Sequence, residues 1–220
     1  MDNETKHALH AAAREGKLRV VESLLNADPK QARKKDDDGR LPLHWAASSN
    51  QLEIVLLLSQ QKDFDPDAEN LVCQDDIGWT PLMIAASVKD NEKLVELLLS
   101  RGADVNQTNH NGQTALHFVA SKSNLEVARL LLDSKPPASA RVRDKRGQYA
   151  LHRAAAAGSV PMKLLLTHDN DTGATAVALL KAGADTDKKD SDGFLALDLA
   201  PDKEVRKYIE REAENEGIEL

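Results

Sequence analysis

Two apolar patterns alternate along the chain. The first is short and rich in alanine: Leu9-His10-Ala11-Ala12, Leu43-His44-Trp45-Ala46-Ala47, Leu82-Met83-Ile84-Ala85-Ala86, Leu116-His117-Phe118-Val119-Ala120 and Leu151-His152-Arg153-Ala154-Ala155, with a degraded copy at Leu197-Asp198-Leu199-Ala200. The second is a leucine and valine ridge, as in Leu94-Val95-Glu96-Leu97-Leu98-Leu99 and Val127-Ala128-Arg129-Leu130-Leu131-Leu132. Polar segments such as Asp36-Asp37-Asp38-Gly39 and Asn109-His110-Asn111-Gly112 precede the alanine-rich runs. Glycine tolerates the positive φ of a tight turn, so these segments predict hairpins. Thr80-Pro81 predicts a helix start, because a threonine hydroxyl caps free N–H groups and proline is pre-shaped for the first helical position. Gly102-Ala103 and Gly183-Ala184 are placed as helix stops.

The leading leucines of the alanine-rich runs lie 34, 39, 34, 35 and 46 residues apart. This resembles the ankyrin repeat, whose period is about 33 residues and whose signature is Thr-Pro-Leu-His-x-Ala. Gly78-Trp79-Thr80-Pro81-Leu82 matches it most closely. The resemblance implies an all-α ankyrin-repeat solenoid of helix-turn-helix repeats with β-hairpin loops, forming a single domain over residues 1–220. Six inner-helix signatures and one truncated repeat are expected, near residues 5–35, 36–74, 75–108, 109–143, 144–167, 168–189 (truncated) and 190–212. The interval of 46 contains two ridges, Met162-Lys163-Leu164-Leu165-Leu166 and Ala176-Val177-Ala178-Leu179-Leu180. The second is expected to be an orphan outer helix without an inner partner. A mobile loop from about Thr167 through Ala174 and a weakly docked final repeat would follow.

Composition narrows the class. Hydrophobic residues make up 41 % of the chain but aromatic ones only 3 %, so Leu, Ala, Val and Ile must build the core. No apolar run approaches the roughly 18 residues that span a membrane, and Met1-Asp2-Asn3-Glu4 is unlike a signal peptide. The lone Cys73 suits a reducing compartment, as a buried or loop thiol with no motif placing it beside a base. A formal charge of −7 argues against nucleic acid as the ligand. The expectation is a soluble, intracellular, acidic protein, monomeric on its own.

Catalytic and metal chemistry find no motif. His10, His44, His117 and His152 recur at one repeat position, which in ankyrin proteins is structural and bonds the hairpin backbone. Zinc needs several ligands converging on one point, whereas repeats spread them along an axis. Asp36-Asp37-Asp38 lacks the glutamate that closes a calcium loop. No phosphate-binding glycine loop occurs. No enzyme activity, cofactor or metal is expected.

If the repeats share one core, function is written where they differ. After the turn glycine stand Arg40, Trp79, Gln113, Gln148 and Phe194; after the histidine position stand Trp45, Ile84, Phe118, Arg153 and Leu199; beyond the alanines come Ser48, Ser87, Ser121 and Lys122. In an ankyrin stack these positions face the concave side. Trp and Arg are frequent interface hot spots; the lesser alternative, compatible with that role, is that Trp45 and Trp79 cover neighbouring hairpins and stiffen the stack. Early hairpins are acidic (Asp36 to Asp38, Asp75, Asp76), and Arg143-Asp144-Lys145-Arg146 with Arg153 makes a later basic region. Such separation orients a complementary partner, or merely solvates the surface. The candidate partner-binding set is Arg40, Trp45, Asp76, Trp79, Phe118, Lys122, Arg146 and Arg153. Arg40, Lys122 and Arg153 read as surface cations whose joint reversal to glutamate leaves the melting temperature nearly unchanged.

At these variable positions the chain resembles gankyrin and its fungal counterparts. The matching runs are Gly39-Arg40-Leu41-Pro42-Leu43-His44-Trp45, Asp76-Ile77-Gly78-Trp79-Thr80-Pro81-Leu82-Met83-Ile84-Ala85-Ala86-Ser87, Asn111-Gly112-Gln113-Thr114-Ala115-Leu116-His117 through Ala120-Ser121-Lys122, and Ala150-Leu151-His152-Arg153-Ala154-Ala155-Ala156. The resemblance implies a chaperone of proteasome assembly in cytoplasm and nucleus, gripping the C-terminal domain of one ATPase subunit of the regulatory particle. It also implies that Arg40 and Lys122 contact an acidic partner domain. The family's Leu-x-Cys-x-Glu motif for the retinoblastoma protein is missing, and six signatures stand where the family has seven repeats. The rival functions are a cyclin-kinase inhibitor or signalling scaffold on the same fold, and a hydrolase or metal enzyme.

Overall fold

Leucine at the start of each alanine-rich run and the alanine pair behind it become one buried stripe. Leu43, Ala46 and Ala47 are at most 4 % exposed, as are Leu82, Ala85 and Ala86, and Leu151, Ala154 and Ala155. Alanine there has little side chain to hold neighbouring helices apart, which is how a chain so poor in aromatics reaches close packing. The computed structural model describes residues 7–61, 74–158 and 171–220. Cys73 and the ridge Met162 to Leu166 lie outside the described residues. The backbone falls into two compact units, 1–110 and 111–220.

Unit 1 comprises α1 (Ala8–Arg14), α2 (Leu18–Ala27), a 3-10 turn (Pro29–Arg33), α3 (Pro42–Ser48), α4 (Leu52–Ser59), α5 (Pro81–Ser87) and α6 (Glu92–Ser100). Within it α1, α3 and α5 stack side by side, and α2, α4 and α6 form a second layer, each helix also packing on its partner from the same repeat. Unit 2 comprises α7 (Ala115–Lys122), α8 (Leu125–Leu132), α9 (Ala150–Ala157), α10 (Asp171–Lys181), a 3-10 turn (Ala196–Leu199) and α11 (Lys203–Asn215). Here α7, α9 and the 3-10 turn stack, and α8, α10 and α11 follow behind them. The fold is an all-α ankyrin-repeat architecture. The helix starts follow their sequence signals: Pro42 and Pro81 occupy first-turn positions, and the Thr80 hydroxyl accepts the Met83 N–H at 3.2 Å.

Two expectations require correction. No β-strand occurs among the described residues; the hairpins are tight turns, with one isolated bridge between Lys189 and Leu195. Four turns close on themselves, as Asp75 N–H does on the Trp79 carbonyl at 2.9 Å. Successive turns then join by single backbone bonds: Asp76 N–H to Asp38 and His110 N–H to Ile77 in unit 1, Lys145 N–H to Asn111 and Ser191 N–H to Arg146 in unit 2. One bond per turn is too few for a ladder. Gly78 serves both tasks: its φ is +83°, and a Cβ there would stand 2.7 Å from the His110 nitrogen.

The second correction concerns Ala176 to Leu180. This ridge lies in α10, which packs on α9 and on α8 and so completes the pair that α9 opens. It is no orphan: burying Ala176, Leu179 and Leu180 against α8 and α9 removes their apolar surface from water. Of the expected loop, Thr167 to Asn170 lie outside the described residues, and Asp171 to Ala174 are helical. The final repeat is also docked. Val205, Ile209 and Ala213 of α11 are buried, and α11 packs on α10. Gly158 makes room for it, since a Cβ there would meet Val205 Cγ1 at 2.5 Å. Gly158→Ala should therefore cost about 1–3 kcal/mol by overpacking, read as faster amide exchange in residues 203–215. Unchanged exchange there would refute this account of the docking.

Candidate partner-binding site

Four turns begin with an aspartate whose side chain folds them. Asp36 Oδ1 accepts the N–H groups of Asp38 and Arg40 at 3.0 and 2.8 Å. Asp75, Asp144 and Asp190 repeat this, each accepting from the residues two and four positions on. The second carboxylate oxygen is then available to a long side chain. Asp36 Oδ2 accepts the Trp45 indole N–H at 2.7 Å, Asp75 Oδ2 accepts Arg40 Nε at 3.2 Å, and Asp144 Oδ2 accepts Arg153 Nη2 at 2.7 Å. Trp45, Arg40 and Arg153, three of the variable residues that sequence singles out, are thus held in place by the turn aspartates.

Histidine closes four of the repeats on the next turn. The Leu41, Thr114 and Tyr149 N–H groups donate to Nδ1 of His44, His117 and His152 at 3.1, 3.1 and 3.4 Å. Nδ1 is therefore an acceptor and Nε2 carries the proton. Nε2 of His10, His44, His117 and His152 donates to the carbonyls of Arg40, Trp79, Gln148 and Phe194 at 3.1 to 3.3 Å. Burial holds His117 down to about 4, and lowers His10 and His152 against the opposing pull of their carbonyl partners. For Asp36 and Asp144 burial pushes the carboxyl upward. The hydrogen bonds from Trp45 and Arg153 respectively, with those of the turn N–H groups, outweigh it and leave both below the ordinary aspartate value.

In unit 1 the structure brings Arg40 and Trp45 together, the guanidinium 5.2 Å from the indole centroid. Arg14, which sequence reasoning missed, lies over the same ring at 5.3 Å. Asp76 is exposed on the second turn, and Trp79 is half-buried with its backbone fixed by Asp75 and His44. In unit 2, Phe118 is half-buried on α7 and Lys122, the last residue of that helix, is exposed. Arg146 is exposed on the turn that Asp144 folds. Arg153 is different: its side chain is 17 % exposed, that of Asp144 is 1 % exposed, and Nη1 reaches Ser121 Oγ at 3.5 Å. Arg40 is likewise paired with an Asp75 side chain only 1 % exposed. The expectation that Arg40, Lys122 and Arg153 reverse without effect on melting therefore fails for both arginines, because reversal would press a carboxylate on a buried carboxylate. Of the three, only Lys122 is an exposed cation with no ion pair among the described residues.

The turn aspartates had a sequence signal, an Asp or Asn three residues before each turn glycine: Asp36, Asp75, Asn109, Asp144 and Asp190. Among the described residues no cluster of three His, Cys, Asp or Glu side chains could hold a metal ion, and no helix is long and apolar enough to cross a membrane. A family model of three ankyrin repeats matches residues 1–70 and 68–144. The chain is 34 % identical over 230 residues to a probable 26S proteasome regulatory subunit p28 of Saccharomyces cerevisiae, covering 93 % of this chain and 98 % of that protein. It is 35 % identical over 227 residues to an ankyrin repeat-containing protein of Schizosaccharomyces pombe, covering 91 % and 92 %. Human neurogenic locus notch homolog protein 2 matches at 35 % over 131 residues, 60 % of this chain and 5 % of that protein.

Proposed function

The chain belongs to the gankyrin family of ankyrin-repeat proteins, and on that premise we propose that it is a non-enzymatic, proteasome-associated chaperone. It binds the C-terminal domain of one ATPase subunit while the regulatory particle assembles, in cytoplasm and nucleus, and releases it afterwards. The observation that carries this reading is the near end-to-end likeness to the budding-yeast p28 protein, as opposed to a likeness limited to a few generic repeats. The turn chemistry supports it. The Arg40 and Trp45 side chains are held by Asp75 and Asp36, so they meet a partner already ordered and lose little entropy on binding.

The test is affinity purification of the endogenous protein with mass spectrometry, followed by titration with the recombinant C-terminal domain of the ATPase recovered. A saturable, equimolar complex is expected. Recovery of kinases without proteasomal ATPases would overturn the proposal in favour of a signalling scaffold. Lys122 gives the cleanest probe of the surface. Lys122→Glu should change folding stability by no more than about 0.5 kcal/mol, as surface substitutions generally do. It should slow association with the ATPase domain and flatten the salt dependence of that rate. An unaltered association rate at low salt would remove Lys122 from the interface.

A further inference from the structure

The core of this chain is built without aromatic side chains, so the few it has are not there to fill it. Among the described residues no Phe, Trp or Tyr is buried: Trp45, Trp79, Phe118, Tyr149 and Phe194 stand on the inner helices or in the turns before them, and Tyr208 on α11. Phe194 is the exposed one, with 49 % of it open to solvent, whereas the others are half-buried. A lone exposed apolar side chain needs no explanation by itself.

Two observations set Phe194 apart. The first is that its turn folds without it. Phe194 N–H donates to Asp190 Oδ1 at 2.9 Å, and its carbonyl accepts the Asp190 N–H at 2.9 Å. Gln148 makes the same two bonds with Asp144, each at 2.9 Å. A polar side chain therefore serves such a turn equally well, and an apolar ring held in water adds nothing to it. The second is where the turn sits. Ser191 N–H donates to the Arg146 carbonyl at 3.1 Å, and His152 Nε2 donates to the Phe194 carbonyl at 3.3 Å. Phe194 is thereby joined to the turn that carries Arg146 and to α9, which carries Arg153. It continues the surface of unit 2 on which Arg146 and Lys122 are exposed.

Charge describes what would cover the ring. Arg143, Lys145 and Arg146 are exposed and form no ion pair among the described residues, while Asp144 between them is buried and spent on Arg153. Around Phe194 itself the exposed charges balance, Lys188 and Lys189 against Asp187 and Asp192. A side chain that covers Phe194 therefore lies beside net positive charge, which favours carboxylates around it. We propose that Phe194 is an apolar anchor of the partner-binding surface, packing on an aliphatic or aromatic side chain of the partner that carboxylates flank. The anchor rests on the ATPase-binding reading and carries that surface into the last repeat. Its backbone is fixed before the partner arrives, so little ordering opposes the gain from covering the ring.

The test titrates the full chain with the recombinant C-terminal domain of the ATPase and follows both rates, well below the melting transition of each variant. Phe194→Gln gives this turn the side chain that the Asp144 turn already carries, so the fold is kept. It should raise Kd about tenfold or more, mostly through faster dissociation, and by the same factor at low and high salt. Phe194→Leu, still apolar, should recover most of the affinity. Arg146→Glu should instead slow association, with a loss that salt diminishes. Equal affinity of Phe194→Gln and the parent overturns the anchor alone and leaves the ATPase reading standing. So does a leucine variant no better than the glutamine one, or a Phe194→Gln loss that fades with salt. Unaltered association of Arg146→Glu overturns the flanking carboxylates. No binding by the parent overturns the ATPase reading, and the anchor with it.

Discussion

Asp144→Ala should lower the folding free energy by about 3–5 kcal/mol, the usual cost of breaking a buried ion pair by removing one member. Three bonds end on this carboxylate: the N–H groups of Arg146 and Gln148, each at 2.9 Å, and Arg153 Nη2 at 2.7 Å. Alanine would leave two turn N–H groups without their acceptor and a guanidinium in a site where it is 17 % exposed. Its Nε has no partner even in the intact pair, so nothing nearby compensates. Asp144→Asn separates the contributions. Asn and Asp side chains both bond the backbone two residues on, so an amide oxygen can start such a turn and only the charge is lost. That variant should cost about 1.5–3 kcal/mol, the worth of a hydrogen bond to a charged group. The measurement is a urea midpoint by circular dichroism, with the slope checked for constancy. Tryptophan fluorescence is unsuited, since both Trp45 and Trp79 lie in the other unit. A midpoint for Asp144→Ala equal to the parent's would show that the pair is dispensable.

Most of the architecture was readable because it is periodic. A buried stripe repeated near every 34 residues, with glycine before it and a leucine ridge after it, admits few arrangements, and the helices fall where those signals place them. What escaped was pairing between positions that no period links. Arg40 reads from sequence as an exposed cation, yet its partner is 35 residues on and belongs to the next turn. Arg153 and Asp144 are nine apart, a separation that becomes contact only because a turn folds one back over a helix. The place of the ridge at Ala176 is also undecidable locally: two ridges follow α9 in sequence, and only the structure shows the second packing on α9 and α8. Arg14 was overlooked because it sits beyond an alanine pair where other repeats place serine, and only the structure puts it over Trp45.

The same histidines that close the repeats should make the protein acid-sensitive well above the range of its carboxylates. Each carries a single proton, on Nε2 facing a carbonyl, while Nδ1 of His117 and His152 faces a backbone N–H. A second proton would point at that donor, and burial opposes the charge as well. An unfolded histidine titrates near 6.5, whereas His117 is held at about 4 and His10 and His152 are also lowered. Between the unfolded and folded values the unfolded chain binds more protons, so stability falls as pH falls. The stabilising contribution is complete above about 6.5 and is lost progressively towards 4. For His117 alone the loss across this window amounts to about 3 kcal/mol, since a tenfold change in proton affinity is worth about 1.4 kcal/mol. Asp36 and Asp144 are themselves lowered, so their contribution starts to fall only below about pH 5, as the unfolded aspartates protonate, and is lost through the lower folded values; most of the histidine window lies above that. Urea midpoints should therefore be level from about pH 8 to 7 and decline steadily to about pH 4.5. His117→Gln should start lower at about pH 7.5, having lost a buried closure, but decline less steeply because one titrating group is gone. A flat midpoint between about pH 7 and 5 in the parent would mean that these rings accept a second proton without cost, and the neutral closure of four repeats by histidine would have to be abandoned.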